Sequence, residues 1–328
     1  MIGRAALPLV LFLFLVLPVH ALVPVGVEHN NDIGSAGVVD DPARSVLLFG
    51  SLDRAGDAAY YNLTLRPGER LVLSIVTPGT ASPAPSAILS GPDIPPSPAG
   101  IPPGVILPPG EGAVLIPGHS PTRALFDPAG PGVLFGVANL SEVFPSGGVC
   151  HVTIIAPANG TRYGLVVGYR EEFTPLNWIL VPLTAIDLFA WEGQLLPEIL
   201  APGIAILILG FIVIFRRVKR QGKSMPVASW LASLAGLFLL GGAAVTAVQI
   251  ARAIRILGLE KEVVVSITLV LIAVGLALWA LRIGRKPGPG TLADRAALAA
   301  ICCLALVCWA GLVAGPVLAL AAALAPDH

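Results

Sequence analysis

Cys150 and His151 are adjacent, and a thiolate and an imidazole are soft and borderline ligands suited to copper or zinc. With His29 and His119 they form the candidate transition-metal set of the chain. Asp53 and Asp57, with Asp40 and Asp41, form a candidate Ca2+ set. Neither set has a metal-site spacing. The aspartates do not follow the EF-hand pattern, and acidic turns are commonly just solvated. Adjacent residues on a strand point to opposite faces, so one metal cannot easily take both Cys150 and His151. The expectation is Cys150 inside and His151 exposed.

Gly118-His119-Ser120-Pro121-Thr122 starts like a nucleophile elbow, G-x-S-x-G. It lacks the last glycine and lies in a proline-rich loop instead of a strand-to-helix turn. Gly110-Glu111-Gly112 lacks the third glycine of a dinucleotide fingerprint, and no P-loop occurs. No catalytic residue and no cofactor-binding residue emerges, and the reading favours a non-enzyme.

The elements that would carry these residues divide the chain in two. Only 12% of its 328 residues are charged and its mean hydropathy is +0.84. Soluble domains carry about 25% charged residues, so much of the chain must face lipid. From Glu28 to Glu192 there are fifteen acidic residues, seven arginines and no lysine. An acidic surface of this kind excludes nucleic acid as a partner, which needs a basic footprint.

Residues 1–21 read as a signal peptide. Arg4 is the positive start, Leu7 to Leu17 the apolar core, and Val19-His20-Ala21 the cleavage site. An apolar core of this length is too short for a bilayer of about 30 Å. Three sequons, at Asn62, Asn139 and Asn159, fall between this segment and the first long apolar run, as export requires. They are the candidate glycosylation sites if the host glycosylates. Cys150 is the one cysteine of this part, so no disulfide can close inside it.

Residues 22–172 read as an exported all-β sandwich or jelly roll. Ala59 to Leu65 alternates, Arg66-Pro67-Gly68-Glu69 turns, and Arg70 to Thr77 returns, so 59–77 is expected to be a hairpin. Val46–Gly50, Ala87–Ser90, Val133–Ala138, Cys150–Ala156 and Tyr163–Tyr169 are further strands. Between 78 and 131 there are fifteen prolines in 54 residues. That density rules out central strands over most of the stretch and predicts an extended excursion across the sandwich surface. Asp57-Ala-Ala-Tyr60-Tyr61-Asn-Leu-Thr-Leu, then Pro67-Gly68-Glu69-Arg-Leu-Val-Leu-Ser-Ile, resembles the opening of pre-peptidase C-terminal (PPC) type β-sandwich domains. Ala87-Ile-Leu-Ser-Gly-Pro92 and Tyr163-Gly-Leu-Val-Val fit the later strands, while the proline-rich excursion departs from the pattern. The resemblance implies an accessory binding or secretion-associated module without catalytic residues.

Thr174-Pro175 is a helix start, with threonine as N-cap and proline at the first position. The apolar segment from Leu176 to Trp191 has sixteen residues and contains Pro182 and Asp187. A span needs about twenty, so 173–193 is expected to be an interfacial amphipathic helix, with Trp178 and Trp191 at headgroup level. It could equally be a plinth under the sandwich.

Residues 194–328 then carry four apolar runs, 195–215, 227–250, 263–281 and 296–324, expected as a four-helix transmembrane bundle. Arg216, Arg217, Lys219, Arg220 and Lys223 follow the first run, and Arg282, Arg285, Lys286 and Arg295 follow the third. By the positive-inside rule, loops 216–225 and 282–295 are cytoplasmic, and sandwich and C-terminus are extracytoplasmic. Gly311, Gly315, Ala319 and Ala323 recur every four residues, and Ala228, Ala232 and Gly236 do the same in the second run. Such stripes let helix backbones approach. No histidine lies in any of the four runs, which argues against a membrane haem.

The whole reads as an α+β membrane protein, multi-pass in the cell membrane. The expected role is a non-enzymatic, membrane-anchored binding or accessory subunit of the cell envelope, with a membrane protein or a glycan as partner besides the bilayer. A metal-handling domain, taking Ca2+ or a transition metal, and a surface sensor are the alternatives.

Overall fold

The computed structural model describes residues 22–27, 29–79, 83–92, 94–95, 101–102, 105–121, 123–127, 130–157, 159–172, 174–222, 225–259, 261–286 and 291–325. The expected signal segment lies outside them.

The N-terminal half is two sheets packed face to face. The first has six strands in the order β1 (Val23–Gly26), β3 (Val46–Leu52), β11 (Thr161–Val167), β5 (Glu69–Thr77), β9 (Val133–Phe144), β8 (Arg123–Phe126). The second has five, in the order β2 (Gly37–Val39), β4 (Ala58–Leu65), β10 (Gly148–Ile155), β6 (Ser86–Gly91), β7 (Gly112–Ile116). Residues from both fill the space between: Leu63 and Val152 from the second sheet meet Leu71 and Leu165 from the first. Tyr61 and Tyr163 bring their hydroxyls within 2.7 Å across this core. Each thereby gains the polar partner that a buried phenol needs.

The expected hairpin at 59–77 is not formed. β4 pairs with β10 and β2, β5 pairs with β11 and β9, and the turn at Arg66–Glu69 carries the chain from one sheet to the other. Period-two alternation states which side chains face inward. Two strands facing each other across a core satisfy it as well as two strands side by side.

Both outer faces of the sandwich are covered by the chain itself. On the second sheet, Ile88, Ala113 and Ile155 lie under Ile101, Val105 and Leu107 from the proline-rich stretch. The stretch is therefore a strap with a small core of its own. Its strands β7 and β8 are both edge strands, the positions where prolines nearby cost no ladder hydrogen bond. On the first sheet, Leu47, Phe49, Val76 and Leu134 face helix α1 (Pro175–Trp191) and pack on its Leu188 and Trp191. Thr174 caps α1 as expected, its side chain accepting from the Asn177 N–H. Trp191 is buried on the sheet, as a helix packed under the sandwich requires. Its ring lies 5.7 Å from that of Phe49, and its Nε1–H donates to the Gly50 carbonyl at 2.9 Å. The side chain of Trp178 lies outside the described residues. α1 leaves Leu176, Ile179, Leu180 and Leu183 exposed along one face.

Three helices follow that are long and apolar enough to cross a membrane: α2 (Leu196–Gln221), α3 (Val227–Leu257) and α4 (Lys261–Gly284). They run antiparallel in turn. Glycines let them close up: at Gly236 an added Cβ would lie 2.9 Å from the Ala277 carbonyl of α4, and at Gly203 3.4 Å from that of Gly241 of α3. α2 packs mainly on α3 among the long helices and keeps Ile208, Leu209 and Val213 exposed.

The fourth run, expected as one helix over 296–324, is two. α5 (Leu292–Val307) and α6 (Ala314–Leu324) are separated by a turn in which Trp309, Gly311, Leu312 and Val313 all have positive φ. At 16 and 11 residues they are about 24 Å and 17 Å long, each short of a hydrocarbon layer of about 30 Å. They form a hairpin: Arg295 of α5 donates from Nη2 to the Ala325 carbonyl just past α6, at 3.0 Å. Pro316 in the first turn of α6 favours the break, because its ring crowds the Leu312 carbonyl and it has no N–H to donate there. Gly311 therefore lies in the turn and not on a helix face, while Gly315 and Ala319 are buried on α6. The chain turns back, so Ala325 ends at the end of the bundle away from the sandwich.

Replacing Trp191 by alanine removes both the ring contact and the hydrogen bond. A loss of about 3–5 kcal/mol in sandwich stability is expected, read as a lower midpoint in thermal unfolding of the full chain. Trp191→Phe, which keeps most of the apolar contact, should lose clearly less.

Candidate functional site

The candidate metal ligands do not converge. Cys150 is buried between the sheets, with its Sγ against Gly91, where an added Cβ would come within 2.9 Å. His151 points to the opposite face, as strand geometry requires, and is half-buried there. Its Nδ1 is 2.7 Å from Asn62 Oδ1 and its Nε2 is 3.4 Å from Glu111 Oε1. His29 and His119 are both exposed, the first with φ 62°, the second with its backbone N–H donating to the Val137 carbonyl. Asp53 is exposed. Asp57 closes the β3–β4 turn, its Oδ2 accepting from the backbone N–H groups of Asp53 at 3.2 Å and Arg54 at 2.9 Å. Asp41 pairs with Arg170 at 2.9 Å. Among the described residues no group of three His, Cys, Asp or Glu side chains could hold a metal.

The sequons separate by environment. Asn139 and Asn159 are exposed, on β9 and in the β10–β11 turn. Asn62 is half-buried and its side chain is engaged by His151.

A buried polar arrangement lies where sandwich, linker and helices meet. Glu192 ends α1, its N–H donating to the Leu188 carbonyl. Gly193 then takes φ 99°, which turns the chain towards α2. Gln194 and Gln249 of α3 exchange two amide hydrogen bonds, at 2.9 and 2.8 Å, both buried. Gln194 also donates to Glu192 Oε2 at 3.3 Å. Arg162 of β11 donates from Nη1 to the Trp191 carbonyl at 3.0 Å. The Glu192 carboxyl lies against Gly132: a Cβ there would come within 2.2 Å of Oε1.

Burial pushes the Glu192 carboxyl up to about 7. The hydrogen bond from Gln194 and the charge of Arg252 pull the other way, and the buried Asp127 adds to the rise. This carboxyl can take up or release a proton near neutral pH, at the joint between two halves of the chain. Nothing in the sequence singled out Glu192 or Gln194. The usable signal was Gln249, an amide near the end of the apolar run 227–250, which in hydrocarbon must find a partner.

The class is therefore defined by architecture: a two-sheet sandwich seated on a helical unit with three helices long and apolar enough to cross a membrane. Compared with known protein families and with curated proteins, the chain matches none.

Because the folded value of Glu192 is raised above the ordinary 4.5, its contribution to stability is fully present below about pH 4.5. It is lost as pH rises through about 7, a change on the order of 3 kcal/mol. Thermal midpoints of the detergent-solubilised chain should thus fall between these pH values. Glu192→Gln should flatten that dependence and raise the midpoint at pH 8. A variant as pH-sensitive as the native chain there would remove Glu192 from the account.

Proposed function

We propose that the protein is a non-enzymatic binding or accessory subunit of the cell envelope, whose exported sandwich is held in fixed orientation on a membrane anchor. The observation that carries this reading is the joint. Trp191 seats α1 on the first sheet, and Gln194 pairs with Gln249 of α3, so the sandwich is fastened to the helices and not tethered by a loose linker. A fixed platform suits a module that presents a surface to a partner. The surface left uncovered is on the second sheet, beside the strap, where Val38 and Val149 are exposed next to Asn62 and His151. Apolar groups beside polar ones fit a protein or glycan surface. The accessory role implied by the PPC-like residues agrees.

The arginine and lysine distribution supports an exported sandwich with loops 216–225 and 282–295 in the cytoplasm. The C-terminus then lies in the cytoplasm as well, because the α5–α6 hairpin returns to the end from which it starts. Four full crossings would instead put it on the outer side.

Full-length protein purified in mild detergent should carry a membrane or envelope protein in fixed ratio, identified by mass spectrometry. Val38→Asp with Val149→Asp should abolish that association without moving the thermal midpoint. If the association survives deletion of residues 22–172, the sandwich is not the binding module. A reporter fused after His328 should be active on the cytoplasmic side, and activity on the outer side would contradict the hairpin.

A further inference from the structure

The turn between α5 and α6 sits inside the helical unit, against Gly242 of α3: a Cβ on that glycine would come within 2.9 Å of the Gly311 nitrogen. Non-helical backbone at membrane depth is tolerated where protein buries it or where it lines a cavity that holds water. The first condition is met by this contact, and space for the second lies beside the turn. A cavity of about 50 Å3 lies beside the turn, lined by Thr246 of α3, Ser266 of α4 and Cys308, Trp309 and Ala310 of the turn. A water needs roughly 10–15 Å3 of such space.

The turn also releases backbone groups. Among the described residues, the carbonyls of Val307, Cys308 and Ala310 accept no backbone hydrogen bond. Cys308 and Ala310 border the cavity. Three side-chain-bearing residues, Trp309, Leu312 and Val313, are held at φ between 51° and 64°, a conformation that β-branched and bulky residues avoid. Such a turn persists where its surroundings over-determine it.

We infer that this cavity is a hydrated site, holding one or a few water-sized neutral molecules that hydrogen-bond to the released turn carbonyls and to the Thr246 and Ser266 hydroxyls. No charged residue lines it. A bare cation would therefore lack a counter-charge, so the ligand class is a small neutral donor: water, or a solute of water's size and chemistry. The cavity lies nearer the sandwich end of the helices. Ser266 lies five residues inside that end of α4, at a depth of about 8 Å.

The test is X-ray radiolytic hydroxyl labelling of the full chain in lipid nanodiscs, read by mass spectrometry. Bound water next to a side chain raises its oxidation rate. Cys308 and Trp309 should oxidise several-fold faster than Cys303 and Trp279, which are exposed on the outside of the bundle. Thr246→Val with Ser266→Ala should bring the rates at Cys308 and Trp309 down towards those of the outer pair. Rates at Cys308 and Trp309 no higher than at Cys303 and Trp279 in the native chain would overturn the proposal, whether or not the double variant folds. So would a folded double variant that labels like the native chain.

Discussion

Trp191 ends a helix that touches both halves of the molecule. Its indole lies on Phe49 and its N–H reaches the Gly50 carbonyl, so a residue next to the membrane helices is anchored in a β-sheet. Everything after it inherits that position. Glu192, Gly193 and Gln194 follow at once, and Gln194 meets Gln249 near the sandwich end of α3. An aromatic residue suits this place, because it buries a large apolar area with few rotatable bonds and still offers one polar atom for orientation. Aliphatic packing alone would hold α1 to the sheet without setting its direction.

With the joint in place, the sandwich has two outer faces covered by its own chain, one by α1 and one by the proline-rich strap. The strap shows how a segment unable to form central strands still adds structure. Extended backbone lays Ile101, Val105 and Leu107 over Ile88 and Ile155. Prolines lower the conformational entropy lost when such a segment is ordered. What remains open lies beside the strap, where His151 on β10 reaches Asn62 on β4 and Glu111 just before β7.

Much of this architecture is legible in the residues. The alternation at 59–65, the Thr174-Pro175 start of α1, the opposite faces of Cys150 and His151 and the apolar runs of α2, α3 and α4 all follow from local periodicity and capping. Three features do not. Alternation could not choose between a hairpin and an arch for β4 and β5. Hydropathy treats 296–324 as one span, since it averages over Gly311 in the turn and Pro316 just after it. The joint depends on Trp191 meeting Arg162, Gln194 meeting Gln249 and Glu192 lying near Asp127, residues distant in the chain, and no local pattern encodes such a meeting. The candidate site was thus the least legible part, because it consists of long-range polar pairing rather than of a motif.

The central claim is that sandwich and helices form one body through Trp191 and the Gln194–Gln249 pair. Pulsed electron-spin distance measurement tests it directly, with labels at Thr64 on β4 and at Leu259 between α3 and α4, both exposed. The account predicts a single narrow distance distribution in the native chain and a broad one in Trp191→Ala. A broad, multi-component distribution in the native chain would mean that the sandwich moves freely on its anchor, and would contradict it.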